Sequence, residues 1–230
     1  SELGLGIPLA TIAGFTMITA SLFAIAQDNL KRRLAYSTIS QLSYIIFGVS
    51  LLSPMGITGA MLHIPFHGFM KITLFLCAGS IMVASGKKNI SELAGIGRIM
   101  PFTMFAFTIG AFGMCGAPPA CGFVSKWFLC LGTLETGKLV LLAVILVSSL
   151  LDVVYFFPII YTAFFKKPND VTVSLSEWKP KIKESSPFMV VPLVITALFS
   201  MIFCIPNPIS VSYTHLRAHE TGRNLVCRLL

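Results

Sequence analysis

Long apolar runs separated by short polar breaks dominate the chain. A spanning helix needs about 20 mostly apolar residues, and residues 5–26, 34–52, 57–84, 138–165 and 188–205 each qualify. Residues 102–135 form a sixth apolar region of another kind. As one helix, its 34 residues would extend roughly 51 Å, well beyond a hydrocarbon core of about 30 Å. It is interrupted by Gly116, Ala117, Pro118, Pro119, Ala120, Cys121 and Gly122, and paired prolines remove amide donors and clash with the preceding turn. The pattern predicts two half-helices around a break, or a helical hairpin.

Charge in the connecting segments separates these two. Residues 27–33 carry Lys31, Arg32 and Arg33, residues 85–101 carry Lys87, Lys88 and Arg98, and residues 166–187 carry Lys166, Lys167, Lys179, Lys181 and Lys183. Residues 53–56 carry no Lys or Arg, and residues 135–137 none before Lys138. If 102–135 crosses once, every basic segment falls on the cytoplasmic side, as the positive-inside rule requires. If it crosses twice, the five-lysine segment lands outside. The expected fold is therefore all-α and polytopic, a transmembrane helix bundle of about six spans, one of them broken.

Composition agrees. Of the 230 residues, 55% are hydrophobic and 11% charged, with a mean hydropathy of +0.85, against roughly 25% charged in a soluble domain. Seventeen Lys and Arg outnumber nine Asp and Glu, but they sit in clusters between apolar runs, which reads as membrane topology and not as nucleic-acid binding. The six cysteines (Cys77, Cys115, Cys121, Cys130, Cys204 and Cys227) include no C-x-x-C pair, so neither a disulfide framework nor an iron–sulfur site is indicated. No glycine fingerprint for a dinucleotide and no haem motif occurs, so no cofactor and no resident redox centre are expected.

The ends read differently. Ser1 opens the chain without a signal-peptide pattern, and we read the chain as a fragment. Residues 212–230 break from the membrane composition and resemble a translated sequencing-adapter read-through. The expected organisation is thus a transmembrane domain over 1–206 and a non-native or disordered tail over 207–230. On a real helix, His215 and His219 would be a metal hypothesis. Asn89-Ile90-Ser91 is a glycosylation sequon that falls on the expected cytoplasmic side and is taken as chance.

Ionisable groups inside spans are costly and are functional-site hypotheses by default. His63, His67 and Lys71 stand at i, i+4 and i+8, so they share one helix face and extend over roughly 12 Å of its axis. Imidazole and ammonium groups, with ordinary pKa values of about 6.5 and about 10.4, suit proton transfer once water bridges them. The bland reading is a structural hydrogen-bonding histidine. A metal would want a third and fourth ligand, which are absent, and the cation of Lys71 would oppose it. Lys126 follows the Pro118-Pro119 break, where freed backbone groups are tolerated only against protein or a wet cavity; its bland reading is a lysine snorkelling to the interface. Asp152 either counters a lysine, holds a cation, or is hydrogen-bonded at a helix interface. Lys31 has a plain explanation as topological charge.

Three ordered motifs carry a resemblance. DNLKRRLAYSTISQ, from Asp28 to Gln41, is similar to the D-x-K-R-x-L-A-Y-S-T-x-S-Q signature of the proton-translocating antiporter family. His63-x3-His67-x3-Lys71 followed by Leu74-Phe75-Leu76 resembles its H-x3-H-x3-K-x2-LF helix, and Pro118-Pro119-x2-Gly122-Phe123-x-Ser125-Lys126 resembles its broken-helix motif. The family comprises antiporter-like membrane subunits of respiratory complex I, their counterparts in membrane-bound hydrogenases, and large subunits of Mrp-type sodium/proton antiporters. One departure stands out. The family's usual D-I-K-R-x-L is lengthened here by Asn29, which shifts the register of Lys31.

The resemblance implies a chain roughly twice this length built from two inverted repeats, of which the present residues match the second plus a final helix. It implies translocation of protons, or their exchange for sodium, through His63, His67, Lys71, Lys126, Lys31 and Asp152, driven by a redox partner or an opposing ion gradient. The implied partners are other membrane subunits of one complex, protons, sodium and the lipid bilayer. The implied location is the inner membrane of a prokaryotic cell. If such a chain belongs to an ion-translocating NADH:quinone oxidoreductase, the electrons are handled elsewhere. The alternative is a structural membrane subunit of a quinone- or hydrogenase-linked redox complex.

Overall fold

The computed structural model describes residues 5–166 and 184–203, and every regular element among them is helical. In chain order these are α1 (Gly6–Ala26), α2 (Leu30–Ser50), α3 (Pro54–Ser85), a 3₁₀ turn (Ile90–Leu93), α4 (Ile96–Ile99), α5 (Pro101–Cys115), α6 (Cys121–Glu135), α7 (Leu139–Phe164) and α8 (Pro187–Ile202). Among the described residues, α1, α3 and α7 are long and apolar enough to cross a membrane unaided, and α5 and α8 are shorter apolar helices. Of the segment 166–187, Lys167, Lys179, Lys181 and Lys183 lie outside the described residues, as do Cys204, Cys227, His215, His219 and the whole of 207–230.

The helix ends follow from local chemistry. Asn29 caps α2 by accepting from the Arg32 amide at 3.2 Å, so the helix starts four residues before the apolar run and carries Lys31, Arg32 and Arg33 in its first turn. Ser53 caps α3 through the Gly56 amide at 3.0 Å, with Pro54 leading the first turn, where a missing N–H costs nothing. Gly86, at φ +72°, ends it. After α3, the Glu92 carboxylate accepts from the amides of Asn89 and Lys88 at 3.3 and 3.2 Å. These bonds, with Asn89 foremost, hold its carboxyl below the usual carboxylate range.

The region 102–135 crosses once. Thr103, at the start of α5, meets Ser80 near the end of α3 at 3.3 Å. A Cβ built on Gly110 would stand 3.2 Å from Leu74, and one on Gly113 would touch Met70. Beyond the break, Ser125 of α6 meets His63 at 2.9 Å, Gly59 lies against Leu129, and Ser53 donates to the Gly132 carbonyl at 3.3 Å. Read forward, α5 and then α6 therefore follow α3 backward along its whole length. A hairpin would have reversed this order after the break.

Small residues permit that approach. A Cβ on Gly59 would stand 2.8 Å from the Leu129 amide nitrogen, and one on Gly132 2.5 Å from that of Gly56. Both backbones come closer than any side chain allows, the device by which helices associate where lipid supplies no hydrophobic drive.

All described basic connections meet at one end of the bundle. The Leu30 amide donates to Lys88 at 3.0 Å, that of Ile90 to Asp28 at 2.8 Å and that of Gly95 to Thr162, in the last turn of α7, at 3.3 Å. The Phe102 amide donates to Glu184, just before α8, at 3.2 Å. The opposite end holds Ser53, Gly132 and the 3.3 Å bond from the Met55 amide to Glu135. This generates a topology test. In a full-length protein without native thiols, single cysteines at Lys88 and Lys166 are expected to be shielded from an impermeant maleimide added outside intact cells, and one at Lys138 to react. Labelling at position 88 but not 138 would invert the bundle, and labelling at 166 but not 88 would reinstate the hairpin.

Candidate functional site

Helix α2 is built inside out for a soluble protein and right for lipid. Ile39, Leu42, Ile46 and Val49 are exposed, whereas Ser37, Ser40, Gln41 and Tyr44 are buried. The polar stripe faces the protein interior because hydrocarbon cannot hydrogen-bond it. Ser37, Gln41 and Tyr44 lie at i, i+4 and i+7, one face of the helix, and that face meets α3, α6 and α7.

The break in the fourth crossing makes the central charge possible. Gly116, at φ +78°, closes α5 with a paired bond set: its amide donates to Gly113 at 3.0 Å and that of Ala117 to Phe112 at 3.1 Å, the Schellman arrangement that glycine favours. In a continuous helix the Met114 and Cys115 carbonyls would be met by residues 118 and 119, and both are prolines without N–H. The freed Met114 carbonyl accepts from Lys126 Nζ at 2.8 Å.

Lys126 and Asp152 form a buried ion pair. Nζ lies 2.6 Å from Oδ2, and both side chains are withdrawn from the surface. The ammonium also stands 4.9 Å over the Tyr44 ring, a cation–π contact worth more in a desolvated site. Asp152 is further held by Gln41 Nε2, which donates to Oδ2 at 2.8 Å, and by the Tyr155 hydroxyl, which donates to Oδ1 at 2.7 Å. A buried carboxylate has four lone-pair positions to satisfy, and three donors meet it here. Asp152 thus serves as the counter-charge of Lys126.

From there the network runs into α3. Gln41 Oε1 lies 3.2 Å from His63 Nε2, and His63 Nδ1 lies 2.9 Å from the Ser125 hydroxyl. The rings of His63 and His67 stack with centroids 6.0 Å apart and planes 12° from parallel. His67 Nε2 is buried and has no hydrogen-bond partner among the described residues. Lys71 Nζ donates to the Leu34 carbonyl at 2.9 Å and to the Ser37 hydroxyl. It meets neutral acceptors, whereas Lys126 meets a carboxylate.

Five of the six residues named from sequence are therefore gathered into one interior. The sixth, Lys31, is exposed at the basic end of the bundle and takes no part in the row. Two residues on, which is about 200° around a helix, Arg33 turns inward, donating to the carbonyls of Gln27, Ile25 and Tyr155 at 2.6 to 3.2 Å. Gln41, Tyr44, Ser125 and Tyr155 complete the site and were not singled out by sequence reasoning. Gln41 and Ser125 lay within the quoted motifs, and the i, i+4, i+7 spacing on α2 was a usable signal. Tyr155 had none beyond its place one turn after Asp152. Among the described residues no group of three or more His, Cys, Asp or Glu could hold a metal.

These features define a polytopic membrane protein with a charged, hydrogen-bonded interior. The chain belongs to the family described as NADH:quinone oxidoreductase/Mrp antiporter, transmembrane region, whose model matches residues 5–152; it is an integral membrane protein. It is 43% identical over 158 residues to NADH-quinone oxidoreductase subunit N of Desulforudis audaxviator, a match covering 69% of this chain and 32% of that protein. It is 32% identical over 154 residues to a subunit of the Na(+)/H(+) antiporter of Alkalihalophilus pseudofirmus, covering 67% and 31%. A chain in the structure of the Mrp complex from Dietzia sp. DQ12-45-1b shares the fold, with a TM-score of 0.79 at 22% identity over 89% of this chain and 45% of that one. The chain spans about a third of the length of the curated relatives it matches.

Removing one member of a buried ion pair costs about 3–5 kcal/mol, while replacing both by apolar groups is nearly neutral. Lys126→Met and Asp152→Leu are each expected to lower the thermal midpoint of the detergent-solubilised full-length protein, and the double variant to recover most of the loss. Additive losses in that cycle would show that the two charges are not paired.

Proposed function

We propose that this chain supplies part of a proton-translocating membrane subunit, working beside other membrane subunits of a multisubunit complex of the Mrp-antiporter or NADH dehydrogenase type. One observation carries the reading: a hydrogen-bonded row of ionisable and amphoteric groups, Lys126–Asp152–Gln41–His63 with His67 and Lys71 beyond, buried in an otherwise apolar bundle. Burying such groups is expensive, and apolar side chains would pack the same space at lower cost. Lys71 and Lys126 act as the switching charges, Asp152 as the counter-charge, and His63 and His67 pass protons and orient water. A redox partner or an opposing ion gradient drives the cycle, with sodium as the exchanged ion in an antiporter. Electron transfer belongs to other subunits.

In the full-length protein, reconstituted with its partner subunits, Lys126→Ala is expected to reduce ion-coupled proton flux to the background of empty vesicles while membrane insertion persists. Wild-type flux would leave a structural subunit as the reading. A graded loss is expected along α3, because water bypasses one imidazole more readily than two. Unchanged flux in a His63→Ala, His67→Ala double variant would reduce these rings to packing.

A further inference from the structure

His63 is held between two groups that differ in what they can do with a hydrogen. On one side Gln41 bridges the ring to Asp152. A carboxylate demands a donor, so the amide nitrogen of Gln41 faces Asp152 at 2.8 Å and its carbonyl oxygen faces His63 Nε2 at 3.2 Å. An amide oxygen only accepts, so Nε2 must carry hydrogen. On the other side the Ser125 hydroxyl lies within reach of two acceptors, His63 Nδ1 at 2.9 Å and the Gly122 carbonyl at 3.1 Å. It has one hydrogen and can serve only one of them at a time.

We propose that Gln41 and Ser125 are positioning residues that make Nδ1 of His63 the proton-exchanging atom, with the Ser125 hydroxyl as its two-position partner. This rests on the proton-translocation reading above for its use, but not for its geometry. With the imidazole neutral, Ser125 donates to Nδ1. A proton arriving by water attaches to Ser125 Oγ while the hydroxyl's own hydrogen passes to Nδ1. The new O–H bond then points at the Gly122 carbonyl, and Nδ1–H donates to Oγ. The imidazole has gained one proton and one positive charge, the serine is neutral throughout, and no heavy atom has moved. Release runs the same exchange backward.

The charges that face this ring come from three helices. Lys126 of α6 opposes a second positive charge, Asp152 of α7 favours it through Gln41, and His67 of α3 stacks against it. Tyr44 of α2 closes the other face of the ring at 5.6 Å. A proton on His63 is therefore sensed by the Lys126–Asp152 pair across a single amide. Because Gln41 cannot reverse without turning its oxygen on the carboxylate, the link stays fixed while the proton moves on the Ser125 side.

The test is the tautomer of His63, read by ¹⁵N-histidine solid-state NMR of the full-length protein in bilayers, with the signal assigned by its loss in His63→Gln. The neutral ring is expected to carry hydrogen on Nε2 with Nδ1 bare, and Gln41→Leu is expected to bring in the opposite tautomer. A neutral ring with hydrogen on Nδ1, or a tautomer indifferent to Gln41→Leu, would overturn the proposal whether or not the protein moves protons. In reconstituted protein, Ser125→Ala is expected to slow proton flux about a hundredfold, the lower end of what a positioned proton-transfer group contributes, and Ser125→Thr, which keeps the hydroxyl, to restore it. Equal flux in Ser125→Ala and wild type would remove the hydroxyl from the exchange.

Discussion

An ammonium at bilayer depth is stable only where acceptors with lone pairs to spare surround it, and most so where one of them is a carboxylate. In a continuous helix each interior carbonyl already accepts from an amide, so a carbonyl freed of its amide is the stronger acceptor. The two prolines at 118 and 119 release the carbonyls four residues before them, and Lys126, one and a half turns into the next half-helix, reaches back to Met114. The break and the charge are thus one feature. The counter-charge comes from α7, which lies where Asp152 faces the break.

The same constraint explains why α2 presents serines, a glutamine and a tyrosine inward and isoleucines outward. Several inward groups satisfy partners on neighbouring helices: Gln41 meets α3 and α7, Ser37 meets Lys71, and Ser40 meets Ser21 of α1 at 3.0 Å. Polar pairing of this kind orients helices that hydrophobic contact alone leaves free to rotate. It also leaves the two buried lysines unlike. Lys126 is paired with a carboxylate and Lys71 with neutral oxygens, so a charge at one end of the row is stabilised in a way that a charge at the other is not.

Much of this was legible along the chain because it is local. Apolar runs, the proline pair and the i, i+4, i+8 row on α3 follow from helical period and from proline's missing hydrogen, and charge in the connecting segments selected a single crossing. Pairings between helices were not legible. Asp152 reads as any buried carboxylate until α7 is laid against α6, and Gln41 reads as one more polar residue until its two ends are seen to touch Asp152 and His63. Lys31 shows the limit from the other side. Motif membership placed it with the row, but α2 begins at Leu30, and a helix turns the residue two places on, Arg33, into the interior instead.

The last described helix adds no ionisable group to the row, and its contribution is of another kind. Helix α8 lies along α3, where Thr73 donates to Thr196 at 2.8 Å and Phe69 packs against Phe199 and Phe203 at 6.1 and 5.4 Å between ring centroids. Thr73 follows Lys71 by two residues, so it projects from a different face of α3. With α2 and α6 on the polar face and α8 on this one, α3 is covered by protein on both. Beside the Thr73–Thr196 bond, the rings of Phe69, Phe199 and Phe203 make that second face largely apolar. In a group of charges whose energies depend on how little solvent surrounds them, a helix without a charge then helps to set how each of them behaves.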